Sequence, residues 1–350
     1  MNVLEEKFLK GEEGKDIFLY TISNDNGMMA QITNFGAIVV SLLVPDKNGN
    51  LEDVVLGYDE ISSYYDNAPF FGAIIGRHAN RIEDACFELN GVLYNLEKNE
   101  NNNHLHGGSK GFHKVLWNKE TEGEEVGNSI TLSYLSKDGE QNYPGNLNVK
   151  VTYSITNDNS FHINYFAVSD KDTVVNLTNH TYFNLSGKAK NDILDHEIKI
   201  YADNFTPVDE KCIPTGEINS VKGTPLDLTK MQPIKEGIFS EDTQIVYGKG
   251  FDHNWVLNAK GDIKQKAAEV YDPLSDRRME VYTTKPGLQF YSGNLIKSSK
   301  IGKYDVSYKE RSGFCLETQF FPNAMKHKNF PSPILEAGKE YSHKTIYKFL

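Results

Sequence analysis

The chain has 350 residues, enough for two average domains or one large all-β domain, and its 39% hydrophobic and 11% aromatic content excludes global disorder. Its 37 Lys and Arg against 48 Asp and Glu leave a formal charge of -11, which argues against a nucleic-acid partner. Mean hydropathy is -0.51 and no apolar run approaches the roughly 20 residues of a bilayer span, so no membrane role is expected.

The first ten residues are charged and lack the apolar stretch and cleavage site of a secretion signal, so a cytoplasmic protein is expected. In chain order, period-two alternation predicts strands at 17–23, 30–44 and 54–56. A turn at Asp46-Lys47-Asn48-Gly49 separates the last two, and 60–65 is one short helical piece. The alternation returns at 130–135. From 147 to 155 the odd positions Leu147, Val149, Val151, Tyr153 and Ile155 are apolar. After Asn157-Asp158-Asn159-Ser160 it resumes with Phe161, Ile163, Tyr165 and Ala167, an antiparallel hairpin with one face on a core. Further strands are predicted at 174–183, 197–201, 279–284, 287–291 and 314–320. No βαβ rhythm, repeat or Pro/Gly/Ser linker interrupts the order. The expected fold class is all-β, a large antiparallel β-sandwich, with 1–350 as a single domain. Cys86, Cys212 and Cys315 stand far apart without a CxxC pair and are expected to be three reduced core thiols.

Several polar residues sit oddly in this pattern. In 174–185 one parity carries Val174, Asn176, Thr178, His180, Tyr182 and Asn184, which places His180 mid-strand on a hydrogen-bonding face. A strand histidine is more often a satisfied core residue, but so many polar groups on one face also suit a ligand cleft. Glu317 lies in the apolar run Gly313-Phe314-Cys315-Leu316-Glu317-Thr318-Gln319. A carboxylate there is exposed, paired or functional, and the functional reading is a general base. His104-Leu105-His106-Gly107-Gly108 has two histidines at i and i+2, but no third ligand stands at a telling spacing, so no metal is expected. The Asn-rich lead-in around Asn99 and Asn101–Asn103 reads as a solvated loop. Arg77 and Arg81 need acceptors if buried. Asp252-His253-Asn254 is either a turn or a polar cluster in a pocket.

These residues also carry a resemblance. Asn34-Phe35-Gly36-Ala37, Gly76-Arg77-x-Ala79-Asn80-Arg81-Ile82, Leu105-His106-Gly107-Gly108, Thr178-Asn179-His180-x-Tyr182-Phe183-Asn184-Leu185, Phe251-Asp252-His253-Asn254, Gln289-Phe290-Tyr291 and Gly313-Phe314-Cys315-Leu316-Glu317-Thr318-Gln319 follow the order of the aldose 1-epimerase (galactose mutarotase) family. The chain resembles that family over most of its length. It departs at His78, where an apolar residue is usual, and at His113, where an Asp is usual. The resemblance implies the family's supersandwich fold and interconversion of α and β anomers of free aldohexoses such as galactose and glucose. By the same resemblance Glu317 is the base and His180 the acid, with Asn80, Arg81, His106, Asp252 and Gln289 holding the sugar. No cofactor or metal is implied; the partner is a small monosaccharide, and monomer and homodimer both stay open. With an ordinary imidazole as acid, a bell-shaped pH profile is expected, its acid limb from the carboxylate and its basic limb from His180. A non-catalytic sugar-binding sandwich, a glycoside hydrolase and a sugar-phosphate epimerase are the rivals. The first needs no Glu317/His180 pair, the second leaves His180 without a task, and the third calls for a basic cluster that is not evident.

Overall fold

Alternating side chains build two large sheets that share one core. In the computed structural model, residues 3–10, 16–120, 128–297 and 300–350 are described. Their strands pair antiparallel into sheets of nine, six and five strands, with several two-stranded pieces.

The nine-stranded sheet is centred on Leu147–Ile155 and Ser160–Ser169, paired so that Val151 faces Tyr165. Ser129–Ser136 joins on one side and the C-terminal strand Glu340–Phe349 on the other. The six-stranded sheet runs in the order Tyr182–Phe183, Phe314–Gln319, Gly287–Tyr291, Asp252–Val256, Asn204–Thr206, Asn219–Ser220. One parity of this sheet, including Phe314, Leu316, Leu288, Phe290 and Trp255, joins the inner face of the nine-stranded sheet in one hydrophobic cluster. Each of these burials stabilises by about 1.5–3 kcal/mol. Tyr347 on the C-terminal strand ties the layers by donating its hydroxyl to the Leu316 carbonyl at 3.0 Å.

The opposite parity of the six-stranded sheet is polar and equally buried. It carries Cys315, Glu317 and Gln319 on one strand, Gln289 on the next, and Asn254 on the third, each at most 2% exposed. Segments bearing Phe70, Asn80 and His106 lie over this face. Glu317 is therefore pinned by the same alternation that drives Leu316 into the core.

Four expectations need correction. The strand expected over 30–44 is two strands, Met29–Thr33 and Val39–Pro45. Between them Gly36 and Ala37 take positive φ, and a Cβ on Gly36 would meet the His113 carbonyl oxygen at 2.5 Å. Leu51–Asp53 is the strand near 54–56; Val55 makes only a bridge to Phe183. The strand expected over 174–183 is three short pieces that pair with three different partners. Of the thiols only Cys315 is in the core; Cys86 and Cys212 are half-buried, and all three are free.

The helical piece at 60–65 is a 3-10 turn over Ile61–Asp66. A short helix not foreseen, Thr243–Gly248, starts at Asp242, whose carboxylate accepts the Gln244 N–H at 2.8 Å. Among the described residues no helix is long and apolar enough to cross a membrane.

Candidate active site

The break-up of 174–183 is what aims His180. Thr178–Asn179 pairs with Ile74 and Ile75, and Tyr182–Phe183 pairs with the strand that carries Glu317. His180 sits between, its N–H donating to the Ala73 carbonyl at 2.9 Å and its own carbonyl accepting from Gly72 at 3.0 Å. The imidazole is sandwiched by Phe70, stacked at 5.7 Å, and Tyr182 at 5.0 Å, with the His106 ring edge-on at 5.2 Å. Its Nε2 lies 3.7 Å from Oε1 of Glu317, while Oε2 of Glu317 has no partner. Both face a cavity of about 260 Å³, room for one small polar molecule.

This setting reverses the proton affinities that free side chains would have. Burial, reinforced by the Asp252 carboxylate and opposed by the Arg81 guanidinium, pushes Glu317 well above the usual carboxylate range. Burial also pushes His180 down to about 4. Both shifts favour uncharged partners, so the resting pair shares one proton that rests on the carboxyl. Moving that proton to His180 creates a base and an acid side by side without exchange with solvent.

His106 is held differently. Its Nδ1 accepts the Asn80 backbone N–H at 3.1 Å, and the His106 backbone N–H donates to the Asn80 carbonyl at 3.3 Å. An Nδ1 that accepts leaves the hydrogen on Nε2, so His106 presents a fixed donor to the cavity. Burial, together with the nearby His180 and Arg81, pushes it well below the usual imidazole range. His106, His180 and Glu317 bring ligand atoms within 4.8 Å of one another, a spacing a metal ion could bridge. A metal on Nε2 of His106 would force a hydrogen onto Nδ1 against the Asn80 N–H, so the chemistry of this donor set does not fit an ion.

The other wall is a charge cluster. Arg81 donates through Nε and Nη2 to the Glu100 carboxylate at 2.9–3.0 Å, and its Nη1 lies 3.6 Å from Asp252. Burial alone would favour the neutral guanidine, but Asp252 and Glu100 override it and keep Arg81 charged. Asn80 spends its Oδ1 on the Arg81 N–H at 2.8 Å. Glu317, Asp252 and Glu100 line the cavity against the cations Arg81 and Lys297, with Arg81 already committed to two carboxylates. Such a wall offers hydrogen-bond donors and acceptors of the kind that hydroxyl groups can meet.

Of the residues singled out in the sequence, Glu317, His180, Asn80, Arg81, His106 and Asp252 line this one cavity. Gln289 lies one step behind the wall, 2% exposed, and donates its Nε2 to Asp252 Oδ1 at 2.7 Å. His104 is turned away, with Nδ1 2.8 Å from the Glu97 carbonyl and its ring against Tyr143. Arg77 is structural, bonded to the Pro144 and Gly145 carbonyls at 2.7 and 3.0 Å. Asp252-His253-Asn254 is a strand: Asp252 and Asn254 share the Gln289 face, while His253 turns toward Phe205 and Trp255. Sequence reasoning missed Glu100 and Phe70. Glu100 was hidden in the Asn-rich loop, where only its pairing with Arg81 marks it. Phe70 takes a positive φ of 61° to lay its ring against His106, His113 and His180 at once, which no local signal announces.

The chain matches the family model for aldose 1-epimerase over residues 19–348. It is 44% identical over 322 residues to the galactose mutarotase of Bos taurus, covering 92% of this chain and 91% of that protein. It is 37% identical over 350 residues to the aldose 1-epimerase of Escherichia coli (strain K12), covering 99% of each. In three dimensions it is similar to galactose 1-epimerase from Lactobacillus acidophilus NCFM, with a TM-score of 0.87 at 28% identity, covering 100% of this chain and 98% of that one.

Proposed function

The chain belongs to the aldose 1-epimerase family, and we propose that Glu317 and His180 carry its anomerisation of free aldohexoses. It is an isomerase that interconverts α and β anomers. In the proposed mechanism Glu317 accepts the proton of the C1 hydroxyl as His180 donates its Nε2 proton to the ring oxygen. The C1–ring oxygen bond breaks and C1 becomes the aldehyde carbon. Rotation about C1–C2 turns the other face of the aldehyde to the hydroxyl, and the two proton transfers run backwards to close the ring. No net proton, electron or group is gained or lost.

The observation that supports this most is the 3.7 Å spacing between His180 Nε2 and Glu317 Oε1, both turned to the cavity. The two oxygens they must serve hang on the same carbon, so acid and base have to stand side by side. Each acid–base group of this kind contributes about 10²–10⁴-fold. His106 Nε2–H, the Asn80 amide, Arg81 and Asp252 are proposed to hold the remaining hydroxyls while C1 turns, with Gln289 acting through Asp252. Galactose and glucose are the proposed substrates, galactose being the sugar named for the relatives. We read 1–350 as one catalytic domain, a reading supported by a core cluster that draws residues from Tyr20 to Phe349. Three free thiols support a cytoplasmic setting.

Polarimetry on freshly dissolved α-galactose tests the activity. Catalysed decay of rotation well above the buffer rate is expected. Sugar binding without any acceleration would instead make the protein a sugar-binding sandwich.

A further inference from the structure

We propose that Gln319 is a positioning residue for sugar binding: through the carboxamide of Gln289 it holds the Asp252 carboxylate in the orientation that meets the substrate. The proposal rests on the reading of Asp252 as a sugar contact. The three residues share the polar face of adjacent strands, with Gln319 two residues along the strand from Glu317 and Gln289 directly opposite Glu317. Gln319 donates from Nε2 to Gln289 Oε1 at 3.3 Å, and Gln289 donates from Nε2 to Asp252 Oδ1 at 2.7 Å.

The orientation of both amides follows from the end of this chain. A carboxylate only accepts, so Gln289 has to turn its NH₂ toward Asp252. That leaves its Oε1 pointing back, and Gln319 has to turn its own NH₂ forward to meet it. Asp252 then has Oδ1 held by Gln289 and Oδ2 facing Arg81 Nη1 at 3.6 Å, so neither oxygen swings freely. Without the Gln319 donor, the Gln289 carbonyl would be left buried and unpaired, and its amide would rotate to find a partner at the expense of Asp252.

Gln319 is a costly side chain for mere filling. It is 0% exposed and its Oε1 has no partner. A buried, half-satisfied amide destabilises relative to a hydrocarbon of similar volume. What Gln319 adds over methionine or leucine at the same place is one N–H donor aimed at Gln289. A positioning role therefore shows in KM, whereas a packing role shows in stability alone.

The test uses Gln319→Met and Gln319→Leu in the full chain, each with kcat and KM for galactose and a thermal midpoint. Expected are KM raised about 5–10-fold and kcat within about 2-fold of wild type. In a Gln289→Met background the relay is already cut, so adding Gln319→Met should leave KM where Gln289→Met alone put it. A lowered midpoint with unchanged KM, failure of both variants to fold, or KM effects that multiply in the double variant would each overturn the proposal. Asp252→Ala separates the two layers of the argument. If it leaves KM at the wild-type value, the sugar-contact reading is what fails. If it raises KM while the Gln319 variants do not, the relay fails and the contact stands.

Discussion

Glu317→Gln separates what the carboxylate does in the reaction from what it costs the fold. The substitution keeps the shape of a cavity-lining side chain that is 2% exposed, but removes the carboxylate proposed to take the proton of the C1 hydroxyl. The loss in kcat should be about 10²–10⁴-fold, with KM changed little. Stability should move the other way. In the unfolded chain this carboxyl ionises near 4.5, whereas burial in the folded chain delays ionisation to much higher pH. The folded state thus keeps a proton that the unfolded state has lost, so wild-type stability declines as pH rises from 4.5 through the folded pKa. The amide has no such dependence, and its advantage should be smallest near pH 4.5 and widen toward neutrality. The midpoint of the amide variant relative to wild type should therefore be higher at pH 7.5 than at pH 5. Polarimetry and scanning calorimetry at pH 5 and pH 7.5 measure both effects. Turnover within about 10-fold of wild type would remove Glu317 as the base. A midpoint difference that does not widen between the two pH values would refute the claim that burial keeps the carboxyl protonated.

Four other outcomes are expected. With His180 lowered and Glu317 raised, the pair is active only while it holds one proton, so kcat/KM should be bell-shaped with the imidazole on the acid limb and the carboxyl on the basic limb, opposite to the order expected from free side chains. In His180→Asn only ionised Glu317 remains, so the profile should become a single limb rising with pH; a surviving descending limb would mean that another group supplies the proton. Because His106 is fixed as an Nε2–H donor, exhaustive dialysis against EDTA should leave the rate unchanged, and a loss restored by zinc or manganese would contradict that tautomer. Lys303 and Asp53 form a buried ion pair at 2.6 Å, so Lys303→Met should cost about 3–5 kcal/mol in denaturant unfolding; adding Asp53→Asn should recover part of it, and a double variant no better than the single would show that the stranded charge is not the cause.

Much of the fold was legible because it is written locally. The alternation in 147–155 and 161–167 corresponds to the observed strands Leu147–Ile155 and Ser160–Ser169, since a period of two buries one face whatever the partner is. The strand over 287–291 and the carboxylate stranded in the apolar run at Glu317 were readable for the same reason. The breaks were not. Residues 174–183 alternate like one strand, yet three different partner segments take them in turn, and the choice of partner is a property of distant chain. The interruption of 30–44 at Gly36 and Ala37 likewise answers to the His113 carbonyl, far away in sequence.

The site divides along the same line. The motifs around Asn80, His106, His180, Asp252, Gln289 and Glu317 named the residues, through resemblance to the aldose 1-epimerase family rather than through spacing, because these side chains come from six separate segments. Sequence by itself determined which chemical groups are available and which strand faces they occupy. Tertiary structure alone decided that Gln289 stands behind Asp252, that Glu100 clamps Arg81, and that the Asn80 N–H dictates the tautomer of His106. It also decided which of Glu317 and His180 has the greater affinity for a proton. Proton affinity depends on how much water surrounds a group and which charges stand near it. Both are set only when Phe70, Tyr182 and the polar face of the sheet close around His180 and Glu317.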